Sequence, residues 1–193
     1  MTVIKDGTGK GFIAGVTNTN KLEVEAVTTS DGSYTSDSGF GFFTNGTTTI
    51  TQSEKTVVII VNTGTNTYEI GRVWISVQNQ QPLSTTSSTI TTIKFYIGTA
   101  TATLGTIKTP ANANTGSLNT AFITVRSDNP TIAGTDSEIK QLYFLEDDSQ
   151  LVDFEGSIIL EPTGSFRVTC TGGAGITSGT LLCATNVQIF KEI

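Results

Sequence analysis

The chain contains no histidine. That absence removes the side chain best suited to proton transfer near neutral pH and the commonest transition-metal ligand. It excludes a Ser-His-Asp triad, a Cys-His dyad and a His-ligated zinc site. Charge is scarce as well: Asp, Glu, Lys and Arg make up 15% of the sequence, against about 25% in an ordinary soluble domain. Only 11 residues are Lys or Arg and the net charge is -6, so the clustered cations that bind phosphate backbones are missing and no direct nucleic-acid partner is expected. No run approaches the roughly 18 apolar residues of a membrane span, so no membrane association is expected. The opening Met1-Thr2-Val3-Ile4-Lys5-Asp6 lacks the basic and apolar regions of a signal peptide, which gives the expectation of a soluble chain outside the usual export route. Helix formers are few, and no apolar stripe recurs at helical spacing.

What is present is strand-and-turn chemistry: 37 threonines and 20 glycines in 193 residues. Threonine is β-branched, so its χ1 suits a pleated surface, and its hydroxyl keeps an exposed sheet face wet without charge. At this length one real core is expected, with an appendage, rather than two ordinary domains. The two cysteines, Cys170 and Cys183, flank a glycine-rich stretch and could face each other across a hairpin. A disulfide needs Cα atoms within about 7 Å. Nothing in the sequence indicates an oxidising compartment, so two small buried thiols in strands are expected instead.

Residues 1–29 read as an arm. Three β-prone pieces are joined by Asp6-Gly7 and Asn18-Thr19-Asn20, turn formers that tolerate positive φ. Such a unit has little core of its own and is expected to pack on the body, a sister subunit or a partner. Its apolar and flanking residues Ile4, Lys5, Asp6, Phe12, Ile13, Val16, Leu22 and Val24 are the candidate partner contacts. Residues 30–39 are polar and rich in Gly and Ser, a hinge. Residues 40–193 form the body, with strands expected near 40–43, 47–52, 56–62, 69–77, 93–97, 121–126, 139–145, 154–160, 166–170 and 181–189. The continuous run Val57-Val58-Ile59-Ile60-Val61 is the pattern of a strand buried on both faces. Period-two alternation sets Val73, Ile75 and Val77 on one face and Trp74 on the other. This succession without helices predicts an all-β fold: a two-sheet antiparallel sandwich, a jelly roll ahead of an immunoglobulin-like one, with an N-terminal β-rich arm. The Thr/Ser tract at 84–92 reads as a mobile loop.

Few residues offer chemistry. Glu146, Asp147, Asp148, Asp153 and Glu155 supply carboxylates, with Asp147, Asp148 and Asp153 the candidates for a metal, but EF-hand spacing is absent and a solvated connecting loop is the simpler account. As a glycosidase pair, Asp147 and Asp153 lack sugar-stacking aromatics and a cleft pattern. Gly7-Thr8-Gly9-Lys10-Gly11 lacks the spacing of a phosphate-binding loop and has no helix after it, so it reads as a glycine-eased turn. Trp74, Phe95, Phe122 and Phe144 are expected in the core because each sits in a regular strand. For the cluster Phe40, Phe42 and Phe43, core and inter-subunit contact are equally open. No catalytic residue, cofactor or metal is expected, and the chain reads as a non-enzyme.

Three stretches resemble the virion structural proteins of tailed bacteriophages, broadly the head decoration and fibre-like proteins. Ile4-Lys5-Asp6-Gly7-Thr8-Gly9-Lys10-Gly11-Phe12-Ile13-Ala14-Gly15-Val16 followed by Leu22-Glu23-Val24 is similar to the amino-terminal arm of many phage structural proteins. Thr109-Pro110-Ala111-Asn112-Ala113-Asn114-Thr115-Gly116-Ser117 is similar to an Asn-x-Asn-x-Gly-Ser turn in such proteins. Ile159-Leu160-Glu161-Pro162-Thr163-Gly164-Ser165-Phe166 resembles the Leu-x-Pro-Gly-Glu turn before a late jelly-roll strand, with a threonine ahead of the glycine. The resemblance implies a capsid decoration or cement protein, a homotrimer on the particle exterior, assembled in the host cytoplasm and anchored by residues 1–29 to the major capsid protein and its virion neighbours. The alternative it leaves is a tail-fibre or receptor-binding module that recognises host glycans through loops such as 84–92.

Overall fold

A computed structural model describes residues 3–5, 13–16, 22–24, 39–79, 90–174, 176 and 181–191. The chain divides into two compact units, Met1–Asp31 and Gly32–Ile193. In the first, β1 (Val3–Lys5), β2 (Ile13–Val16) and β3 (Leu22–Val24) make an antiparallel sheet in the order β1-β2-β3. The pairing sets Val3 opposite Gly15 and Ala14 opposite Val24.

The second unit contains β4 (Gly41–Thr49), β5 (Lys55–Asn62), β6 (Tyr68–Asn79), β7 (Thr91–Gly98), β8 (Thr101–Thr103), β9 (Thr106–Lys108), β10 (Ala111–Asn112), β11 (Ile123–Ser127), β12 (Thr131–Ala133), β13 (Asp136–Phe144), β14 (Ser149–Leu160), β15 (Ser165–Gly172) and β16 (Leu181–Lys191). One 5-stranded sheet runs β10-β4-β16-β6-β14, and one 6-stranded sheet runs β13-β7-β15-β5-β11-β9. All pairings are antiparallel. Set aside the insert β8–β12, and the remaining strands change sheet at every connection except β7 to β13, which pair with each other in the 6-stranded sheet. The result, β4-β16-β6-β14 facing β13-β7-β15-β5, is a jelly roll, the arrangement expected from the sequence.

The core lies between the sheets. Val73, Ile75 and Val77 of β6 face Ile93 and Phe95 of β7 and Phe166 and Val168 of β15 in one buried cluster. Phe154 of β14 meets Phe95 edge-on at 5.4 Å and Phe166 at 5.8 Å between ring centroids, which ties one sheet to the other. β5 is buried on both faces, as its uninterrupted apolar run requires. Val57, Val58 and Ile60 belong to the main core, while Ile59 and Val61 form a second cluster with Ala100, covered by Ala102 and Ile132 of the two-stranded β12-β8 sheet.

Three sequence expectations need correction. Segments 40–43 and 47–52 belong to one strand, β4, because only apolar spacing was interrupted, not the backbone ladder to β16. Thr91 and Thr92, assigned to a loop, sit in β7, while 84–89 lie outside the described residues. Trp74 and Phe122 are not core: they are 50% and 57% exposed, because each lies on a face that no further layer covers. The expectation of two buried thiols in strands holds for Cys170 and Cys183, which are not hairpin partners, since β15 and β16 belong to opposite sheets. Both are free and buried, and they meet across the sandwich, where the hydrogen bond that the Cys183 thiol makes to Cys170 and its burial push that thiol well above its usual range.

Asn62, at the end of β5, is the polar hub of one sandwich end. Its side-chain Nδ2 donates to Leu160 O at 2.9 Å and Asn66 O at 2.7 Å, and its Oδ1 accepts from Gly64 N at 3.1 Å. Its backbone bonds Gly164 O and Thr163 N, fixing the turn that feeds β15. In that turn Thr163 takes the left-handed conformation, with φ 70. Stranding buried partners of this kind costs about 1–3 kcal/mol. Asn62→Ala is therefore expected to lower the thermal midpoint by roughly 6–12 °C for a loss near ~3 kcal/mol, measured by circular dichroism. Asn45→Ala, at an exposed site, is expected to stay within about 0.5 kcal/mol of the parent.

Candidate interaction surfaces

The four sheet edges of the body are treated unequally. The insert between β7 and β13 crosses the molecule and pairs β10 to β4 and β11 to β5, covering two edges. β13 and β14, joined by the short turn 145–148, stay at the open edges of both sheets. An edge strand presents unpaired N–H and C=O groups that another strand can complete.

Irregularities in both strands shape this side. β13 shifts register between Glu138 and Lys140, and β14 between Asp153 and Ile158. The displaced segments leave a groove of about 530 Å³ lined by Ile97, Ile139, Lys140, Asp153, Phe154, Ser157 and Ile158. Polar and apolar side chains share its lining, and the Lys140 ammonium lies 5.8 Å from the Phe154 ring centroid. Along β13, β14 and the turn between them Ile139, Tyr143, Leu145, Leu151 and Ile159 are all exposed. Large apolar side chains gathered on one side of a body mark an interaction surface more than scattered ones do.

The outer face of the 6-stranded sheet carries a charged clasp that the sequence did not reveal. The Arg167 guanidinium stacks 4.2 Å from the Tyr96 ring centroid, its Nε donates to Asp136 Oδ2 at 2.6 Å, and its Nη1 lies 3.6 Å from Glu54 Oε1. The Tyr96 hydroxyl donates to the same Glu54 carboxylate at 3.2 Å, and Lys94 pairs with Glu138 at 2.9 Å. These residues are distant in sequence and adjacent only through the β13-β7-β15-β5 order, so no local signal announces them.

The carboxylates singled out from sequence do not converge. Asp147, in a left-handed conformation, accepts the Asn79 N–H at 2.9 Å, and the Asp148 carboxylate accepts from Gln150 at 3.3 Å. The Asp147 carboxylate and the Asp148 carbonyl, which accepts the Val77 N–H, pin the β13–β14 turn to the end of β6. Asp153 pairs with Arg72 at 2.8 Å on the outer face of the 5-stranded sheet. The Glu155 side chain lies outside the described residues. Among the described residues no three His, Cys, Asp or Glu are grouped to hold a metal ion.

The aromatic cluster divides. Phe42 is core, Phe43 is exposed, and Phe40 packs its ring under the Lys191 ammonium at 5.2 Å. Of the arm residues, Ile4 and Lys5 lie in β1, Ile13 and Val16 in β2, and Leu22 and Val24 in β3. Asp6, Phe12 and the turn 7–11 lie outside the described residues. The Asn-rich stretch is a chain of side-chain-capped turns: Asn112 Oδ1 accepts from Asn114 N, Asn114 Oδ1 from Gly116 N, and Ser117 Oγ from Asn119 N.

No protein-family model matches the chain, and no curated protein matches it. Among solved structures, a chain of the T13 IBDV viral particle is similar to it with a TM-score of 0.27 and 10% identity. That match covers 86% of this chain and 33% of the viral one, so this chain spans a third of that protein. Likeness of this extent assigns neither family nor function.

Three groups make the body sensitive to alkali. The Tyr96 hydroxyl is raised by burial and by Glu54, the Lys94 ammonium by its bond to Glu138, and the Cys183 thiol by Cys170 and burial. In each case the folded state holds the proton more tightly than the unfolded chain. The stability they contribute is thus full below the unfolded pKa values, about 8.5 for Cys and 10 for Tyr and Lys, and is lost as pH rises past them. The urea midpoint is expected to fall between pH 8 and pH 11, and Tyr96→Phe to fall less steeply than the parent over the same interval.

Proposed function

We propose that this protein is a non-enzymatic structural component of a virion, a decoration or cement protein that binds the major capsid protein of a tailed bacteriophage and stabilises its head. The observation that carries the reading is the unequal treatment of edges: an insert pairs along β5 and with the start of β4 on one side of the jelly roll, while β13 and β14 remain open along their length and carry exposed apolar residues. A stable contact needs about 1,600 Å² in total, and such an edge supplies area and backbone partners together. The sequence resemblance to phage virion proteins supplies the setting. Carboxylates engaged in ion pairs and turn caps, as Asp136, Asp147 and Asp153 are, suit a scaffold better than general acid-base chemistry.

In this proposal the open edges carry contacts between copies in a homotrimer, and residues 1–29 anchor each copy to the capsid. Repetition of the site over a shell adds avidity without strong single contacts. The protein sits on the particle exterior after assembly in the host cytoplasm and binds neither nucleic acid nor membrane.

The two roles separate experimentally. Replacing Tyr143 and Leu145 together by Glu is expected to convert the trimer to monomers in sedimentation while the arm still binds particles weakly. Deleting residues 1–29 is expected to leave a body that unfolds cooperatively, because the core lies wholly within Gly32–Ile193, but that no longer co-sediments with particles. Full particle binding by the truncated chain rejects the anchoring role.

A further inference from the structure

The outer face of the 5-stranded sheet is covered by no other layer among the described residues, and one row across it is unusual. The ladder places Asn45 of β4 opposite Asn186 of β16, Asn186 opposite Trp74 of β6, and Trp74 opposite Leu151 of β14. Directly opposed residues share a face, and all four are exposed. At about 4.8 Å per strand the amides and the indole together span roughly 10 Å. The amides of Asn45 and Asn186 have no protein partner among the described residues. The next row toward the bulge holds Arg72 and Asp153, paired to each other at 2.8 Å, and the row on the other side holds Ala184, Ser76 and Ser149.

We propose that this face, centred on Trp74, is a binding site for neutral saccharides. The chemistry is complementary in three respects. An exposed indole offers a flat apolar surface for the C–H face of a pyranose ring. Unpaired amides beside it offer both donors and acceptors, which is what a ring of hydroxyls requires. The full charges that the ladder sets beside it among the described residues, Arg72 and Asp153, cancel each other, so phosphate and sulfate groups find no spare counter-charge here, whereas an uncharged sugar needs none. A protein-contact core would instead be expected to surround the indole with apolar neighbours, as on the β13–β14 edge, and Leu151 is its single apolar partner in the row. The sequence alone directed glycan recognition to 84–92; the structure directs it to the sheet. The proposal is independent of the virion reading and applies to this face on a head, a tail or a free protein.

Trp74 is the only tryptophan in the chain, so its fluorescence reports on this site and nowhere else. Full-length protein titrated with neutral oligosaccharides of glucose, galactose and N-acetylglucosamine is expected to show a blue-shifted emission and reduced acrylamide quenching with at least one series. By calorimetry, Trp74→Ala is expected to bind that sugar at least tenfold more weakly, Trp74→Phe to retain part of the affinity, and Asn186→Ala to lose severalfold. All three are surface substitutions, and matching thermal midpoints establish that the fold is intact. An emission unchanged by every series overturns the proposal, as does undiminished binding by Trp74→Ala. An emission that responds to purified particles but to no sugar overturns it too, and assigns the face to a protein partner.

Discussion

A β-sandwich is governed by what happens at the edges of its sheets. Every interior strand satisfies its backbone on both sides, but an edge strand leaves a row of donors and acceptors facing outward, which must be hydrated, covered or completed by another chain. Two sheets have four such edges. Here the long excursion from Thr99 to Thr135 goes to one side, pairing Ala111 with Phe43 and Ile123 with Asn62. Its β12-β8 piece also covers Ile59 and Val61, so that β5 becomes an interior strand in both senses. With that side partly covered and left with edge strands of two and three residues, β13 and β14 are the long edges available to a partner's backbone.

The same constraint explains the register shifts. A straight, flat, apolar edge invites uncontrolled pairing, and bulges are the usual remedy. The shift at Glu138/Lys140 in β13 and that at Asp153/Ile158 in β14 face each other across the open side. A third, between Val187 and Ile189 of β16, lies on the same line through β6, where the Phe190 ring lies 2.6 Å from where a Cβ on Gly71 would stand. Any side chain there would displace the ring. The bend therefore runs across three strands, and the groove beside Phe154 is its outer end. The edge is open to a partner of matching shape and unfavourable to a generic strand.

Much of this architecture was legible in the sequence, because burial dictates residue type one position at a time. The Val57–Val61 run, the alternation in 93–97 and the absence of helical spacing were enough for an all-β sandwich. The strands that escaped notice, β8, β9, β10 and β12, are two or three residues long, too short for an alternation to mark them. The Arg167 clasp escaped for another reason: Glu54, Tyr96, Asp136 and Arg167 become neighbours only through the non-local order of the jelly roll. Trp74 was a different kind of error. The alternation had already set it opposite Val73, Ile75 and Val77, and the mistake lay in supposing that a large aromatic must be covered.

That mistake is informative, since an exposed indole is not what stability asks for. Its apolar area is hydrated in the folded state and contributes little of the roughly 25 cal/mol per Å² that burial yields. In a chain that wets its sheet faces with threonine, the same position would accept Thr or Gln at no cost to the core beneath, which is built from Val73, Ile75 and Val187. A residue that departs from the local rule without a local gain points to a gain elsewhere. The departure stands beside two amides with no protein partner and an ion pair that cancels its own charge. Contact with a ligand is a use for that combination which the packing of the body does not supply.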